Sequence, residues 1–282
     1  MIRPRAPLRI AALLFLLALT GRVLAAPEAL VDEFMQKSGL TRQLAGIQDG
    51  VLLGIEQAQA QSPGPQLSGE QEERLRAAVK GAFVADRLRR SMRAHLVTAL
   101  QAADAEQALQ WLDTPFGKRV TKIEEEGSTP EAFARAMETG AQTLAALSPA
   151  RRVDIERLLK ASGAVDVLAS ITLNQQLGIM RGMALAAGTT DAEPPEDAKA
   201  KLEPLRNRIA TALGPTLLAT SAVLYASLSD AELRDYNAVL DLPSSRRVTK
   251  IIGEALDKAL TAAAVEFGRR LGDVHKAGTA ST

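Results

Sequence analysis

The sequence repeats itself, and this internal match constrains the fold more than any other property of the chain. Shifting the 282-residue sequence by 124 places aligns residues 31–55 with 155–179, and eight of those 25 positions are identical. The shared residues include Ser38-Gly39 with Ser162-Gly163 and Leu53-Gly54-Ile55 with Leu177-Gly178-Ile179. A shift of 128 aligns Trp111–Ile123 (WLDTPFGKRVTKI) with Val239–Ile251 (VLDLPSSRRVTKI), with eight of 13 positions identical. Both matches occur in the same order, and the small drift in offset needs only short insertions in loops. Chance similarity between two turns does not account for that order. The reading is a tandem duplication, with one unit over 28–147, a second over 148–273 and a disordered tail over 274–282.

Each unit reads as helical. Period-2 alternation is absent, and residues that favour helices outnumber β-branched ones. Leu30, Val31, Phe34, Met35 and Ser38 fall on one helical face, as do Ile155, Leu158, Leu159 and Ser162. Ser68…Gln71 and Ser229…Glu232 have the spacing of a capping box, and Ser148-Pro149 places proline at a first helical position. In each unit a short helix ends at Ser-Gly, where glycine can take the left-handed cap conformation. A longer amphipathic helix, a Pro-rich loop and further helices follow, and a helix–turn–helix forms at Asp-x-Pro. Loops are expected at Gln61–Pro65 and Gly188–Pro195. The fold class is therefore all-α: two related helical-bundle units packed in tandem, behind a cleaved N-terminal signal peptide.

That signal peptide occupies 1–25. Arg3, Arg5 and Arg9 precede an unbroken apolar run from Ile10 to Leu19, and Gly21 leads into Val23-Leu24-Ala25, with short side chains where a signal peptidase reads. An uncleaved anchor would need about 20 apolar residues. Cleavage after Ala25 is preferred over Ala26, which would leave Pro27 first. The expected home is the bacterial periplasm, with release to the medium second, because the chain has no cysteine for the disulfides that small extracellular domains lean on. Removing 1–25 takes away four arginines and no acid, so a net charge of +1 (34 basic, 33 acidic) becomes −3 (30 basic, 33 acidic). Segment 209–229 carries no charge over 21 residues. Its match at 83–103 holds Asp86, Arg87, Arg89, Arg90 and Arg93, which argues for burial in protein instead of lipid, and Gly214-Pro215 is expected to interrupt it.

The helix Asp32-Glu33-Phe34-Met35-Gln36-Lys37-Ser38-Gly39 and the later run Trp111-Leu112-Asp113-Thr114-Pro115-Phe116-Gly117-Lys118-Arg119 resemble secreted bacterial proteins grouped as domain of unknown function 2059. The second unit keeps the same frame in Ser229–Leu233 and Leu240-Asp241-Leu242-Pro243, and departs where Trp111, Thr114 and Gly117 become Val239, Leu242 and Ser245. The resemblance covers nearly all of the mature chain. It implies an all-helical fold, and since the family has no established activity it assigns no functional residue.

Catalytic constellations are hard to find. His95 stands alone in an Arg-rich helix, His275 sits in the tail, and HExxH, GxSxG, GxGxxG and GxxxxGKS patterns are missing. No catalytic residue, metal site or cofactor is expected. Glu124-Glu125-Glu126 is the one dense acidic run, and it reads as a solvated helix face because consecutive helical residues fan out. The basic run Arg87–Arg93 lacks aromatic interleaving, so nucleic acid is not an expected partner. One polar feature is duplicated: Lys118, Arg119 and Lys122 in the first unit, Arg246, Arg247 and Lys250 in the second. Three cations after a proline turn form a candidate anion-binding site for a phosphate, carboxylate or lipid head group; the simpler reading is an exposed basic face. The expectation is an exported, non-enzymatic envelope protein that binds a protein, peptide, or apolar or anionic ligand. A carboxylate-based envelope hydrolase and a peripheral membrane protein are the alternatives. Its partner would be an envelope protein, peptide or lipid, with no transmembrane span in the mature chain.

Overall fold

A computed structural model describes residues 25–61, 67–189 and 196–279, and these form helices without a strand. The proposed signal peptide, apart from Ala25, lies outside the described residues, as does most of each expected loop. The first half comprises α1 (Glu28–Lys37), α2 (Leu40–Gln61), α3 (Gly69–Ala82), α4 (Ala85–Ala99), α5 (Ala102–Leu112), α6 (Pro115–Gly127) and α7 (Pro130–Ala146). The second half comprises α8 (Pro149–Ser162), α9 (Ala164–Ala186), α10 (Glu196–Leu224), α11 (Asp230–Leu240) and α12 (Pro243–Thr279).

The helix boundaries follow local chemistry. Ser68 and Ser229 each close a full capping box, with Gln71 and Glu232 as the reciprocal partners. Pro115, Pro130 and Pro149 stand at first helical positions, where the missing N–H removes no helical bond. Gly39 and Gly163 take φ of 78° and 62°, the left-handed conformation expected after Ser38 and Ser162. The halves differ in how often their helices break. Thr129-Pro130 separates α6 from α7, whereas the residues 128 places on, Asp257 and Lys258, let α12 run through.

The helix α10 runs on through Gly214-Pro215 and holds both Pro204 and Pro215 in its interior; each proline removes one helical bond, and the helix packs on α7 and α9. One expectation about the C-terminal tail is corrected. The segment from 274 is helical as far as Thr279, since no proline stops the helix and Arg269 pairs with Asp273 one turn on at 3.1 Å.

The sequence leaves open whether the two units share one core. In the structure the halves do not close as separate bundles; each completes its core with a late helical segment of the other. The larger core joins Val31, Phe34, Val79, Leu88, Met92, Leu96 and Leu109 of the first half to Val248, Ala255, Ala259, Leu260, Ala263 and Phe267 of α12. Phe83 and Phe267 meet there with ring centroids 6.1 Å apart. The smaller core joins Ile155, Leu158, Leu228 and Leu233 of the second half to Val120 of α6. Farther along, α7 packs on α10 while α12 packs on α3, α4 and α5.

Residues that correspond by the 128-place shift make corresponding contacts across this exchange. Arg247 of α12 holds Asp104 of α5 through two bonds, Nε to Oδ2 at 2.8 Å and Nη2 to Oδ1 at 2.6 Å. Arg119 of α6 pairs with Glu232 of α11 in the opposite direction. The exchange is thus reciprocal, with one arginine from each half anchored in the other.

The uncharged segment divides. Ser221, Ala222, Tyr225 and Leu228 are buried, whereas the turns before them are half-exposed against α7 and α9. Among the described residues no helix is long and apolar enough to cross a membrane.

Candidate functional site

The reciprocal crossing leaves a cavity of about 460 Å3 where the two Asp-x-Pro turns face each other. Phe34 and Leu40 of the first half, Trp111 and Leu112 at the end of α5, and Val239, Leu240, Val248 and Ile252 of the second half give it an apolar wall. Its size falls in the range of about 300–1,000 Å3 typical of small-molecule sites.

The chain has one tryptophan and two tyrosines, and the fold gathers all three here. Trp111 stacks on Tyr236, with ring centroids 5.6 Å apart and planes 5° from parallel, and Tyr236 meets Tyr225 at 6.0 Å. Both phenols donate to one atom. Tyr236 Oη lies 2.7 Å and Tyr225 Oη 2.8 Å from Oε1 of Glu124, a residue that lines the cavity. Both phenol bonds fall on Oε1, and among the described residues no lysine, arginine or histidine forms an ion pair with the carboxylate.

Burial therefore pushes Glu124 above the usual carboxylate range, against the opposing pull of the two phenol hydrogen bonds. Burial and the neighbouring carboxylate push both tyrosines well above the ordinary phenol range. Glu124 and its neighbours correct the sequence expectation of a solvated acidic face. Glu125 instead pairs with Arg42 against Gly39, and Glu126 faces solvent near Lys122. Glu124 lies one turn beyond the fully buried Val120 and two beyond Phe116, so the helix carries it inward.

Residues at the corresponding places are apolar: Glu124 matches Ile252, and Tyr236 matches Ala108, both packed on the larger core. The helical crossing can be made without the carboxylate and without the phenol, so the fold alone does not require this polar group.

Glu124 also gives stability a pH dependence. Below the ordinary glutamate range the acid is protonated in both the folded and unfolded chain. Between that range and its raised folded value only the folded chain keeps the proton, so stability falls as pH rises. Urea unfolding from about pH 4 to pH 7 is expected to show a steeper loss in the wild type than in Glu124→Gln, which keeps an acceptor for both phenols. Identical slopes would mean that Glu124 ionises as freely in the folded protein as in the unfolded chain.

The six residues expected to bind an anion are divided by the fold, and each faces a carboxylate. Arg119 and Arg247 are the reciprocal inter-half anchors. Lys118 lies 3.8 Å from Asp113 and Lys122 lies 3.7 Å from Glu126. Arg246 bonds Asp241 at 2.8 Å, and Lys250 lies 3.9 Å from Glu254. Arg246 and Lys250 do share a cleft of about 720 Å3 between α8, α9 and α12. Its other cations, Arg157 and Lys160, are balanced by Asp166, Asp241, Glu254 and Asp257. That balance leaves the cleft without the surplus positive charge an anion site needs.

His95 accepts at Nδ1 from Lys258 at 3.0 Å, which turns Nε2 toward Glu254 at 3.7 Å. Among the described residues no group of three or more histidines and acids is placed to hold a metal ion. No family model, curated protein or solved structure matches the chain.

Proposed function

We propose that the chain is an exported, non-enzymatic helical protein that binds a small, largely apolar molecule in the cavity between its halves. The observation that carries this reading is the carboxylate of Glu124, held by two phenols beside the only tryptophan in a cavity of mixed lining. Apolar walls such as Phe34, Leu112 and Ile252 with placed polar groups between them are what small-molecule recognition uses. Export to the periplasm rests on the three zones of residues 1–25, and kinship with the secreted helical family rests on the motifs at 32–39 and 111–119.

The hydrolase alternative calls for two available carboxylates in one cleft. Asp104 and Glu124 both line the cavity, but both oxygens of Asp104 are engaged by Arg247. In this cavity one available acid supports binding over two-carboxylate hydrolysis.

The test is native mass spectrometry of the mature protein purified from its own envelope. The wild type is expected to carry a small molecule of defined mass at near one per chain. Ala108→Phe, which places a ring on the cavity wall, is expected to emerge without it. An empty wild type, or retention of the molecule by the filled variant, would contradict the reading.

A further inference from the structure

The geometry points to a ligand class for this cavity: we propose that it takes an organic amine, a protonated nitrogen carried on an apolar body, with the ammonium placed against Oε2 of Glu124. This deepens the binding role proposed above and rests on it.

Three observations converge. First, the other carboxylates near this end of α6 already have cations. Asp104 has Arg247, Glu125 has Arg42 and Glu126 has Lys122 within 3.7 Å. Glu124 has none among the described residues, although it is partly buried and lines the cavity. A buried carboxylate without a countercharge is unfavourable, and a cationic ligand removes that penalty as it binds.

Second, the carboxylate is oriented. Both phenols donate to Oε1, at 2.7 and 2.8 Å, which fixes the group and leaves Oε2 as the acceptor for an incoming N–H. A phenol at each side also fills the donor positions that water would otherwise supply at Oε1. An anionic ligand would meet like charge here, and a neutral alcohol would donate one hydrogen bond without supplying charge.

Third, the walls suit such a cation. Trp111 lines the cavity and stacks on Tyr236, so an indole face stands close to the carboxylate; aromatic faces attract ammonium groups. Phe34, Leu112 and Ile252 supply apolar surface for the body of the ligand.

Charge-matched probes test this. Octylamine, octanol and octanoate share a chain and differ at the head group, and Trp111 is the sole indole to report their binding by fluorescence. Titrations at neutral pH are expected to give octylammonium at least tenfold tighter binding than octanol, with octanoate weakest. Glu124→Gln keeps acceptors for both phenols, and circular dichroism checks its fold; in it the amine should bind no better than the alcohol. Arg246→Ala, outside the cavity, should keep the preference. Equal binding of amine and alcohol to the wild type, or an amine preference that survives in Glu124→Gln, would overturn the amine assignment and leave cavity binding standing. If none of the three probes changes Trp111 emission, the binding role falls with it.

Discussion

A chain ended after Leu242 is expected to lose cooperative folding in both halves. Removing α12 takes Val248, Ala255, Ala259, Leu260, Ala263 and Phe267 out of the larger core, where α12 packs on α3, α4 and α5. Burial of a large apolar side chain contributes about 1.5–3 kcal/mol, so the loss of Val248, Leu260 and Phe267 alone is comparable to the roughly 5–15 kcal/mol that stabilises a typical domain. The same deletion exposes α9, along which α12 also packs. Two bundles folding separately would predict a different result: a native first half, with only the second half unfolded. Proton NMR of the truncated chain distinguishes these outcomes, because a surviving first half would keep dispersed methyl and indole signals. The exchange account predicts that they collapse.

Gly182→Ala is expected to destabilise the protein by at least about 2 kcal/mol, through overpacking of two helices. α9 and α12 cross at Gly178 and Gly182 on one side and Gly268 on the other. A Cβ on Gly182 would overlap the carbonyl oxygen of Val265, and one on Gly268 would overlap that of Ile179. Backbone atoms cannot rotate aside as a flexible side chain can, so the helices must separate and lose contacts along their length. Gly54 corresponds to Gly178 by the 124-place shift, yet no atom outside its own helix lies within 4 Å of a Cβ there. Gly54→Ala should therefore stabilise the protein by about 0.5–1 kcal/mol through helix propensity alone. Urea midpoints at unchanged m-value measure both effects. A Gly182→Ala variant as stable as Gly54→Ala would mean that the α9–α12 crossing is looser than described.

Helices, caps and turns were legible because their signals are local. The capping boxes at Ser68 and Ser229, the Ser-Gly stops and the Asp-x-Pro turns are each decided within about one helical turn. The exchange was not legible for a reason inherent in the repeat. Residues 111–123 and 239–251 are so alike that either helix could close either half, and nothing within one copy selects its own half over the other. The corresponding ion pairs, Arg119 with Glu232 and Arg247 with Asp104, become informative only when the two halves are considered together.

The candidate site was partly legible. The i, i+4, i+8 series Phe116, Val120 and Glu124 places the carboxylate on the buried stripe of α6, a clue that outweighs the solvation suggested by three consecutive glutamates. Its phenol partners lie 101 and 112 residues away, beyond the reach of any local pattern. The basic residues form a duplicated pattern that is plain in the sequence, and two of the six, Arg119 and Arg247, join the halves through pairings no single copy reveals.

The most direct test of the central claim is a two-dimensional 1H–15N spectrum of the mature protein titrated with a small-molecule extract of its envelope. Trp111 supplies the only indole N–H in the chain, so a single side-chain signal reports on the cavity wall while the backbone amides report on the rest. Binding in the cavity predicts that the indole signal moves in step with amides of α5, α6 and α11. Amide shifts confined to the charged cleft around Arg246 and Lys250 with the indole unmoved would contradict it, as would a spectrum that does not change.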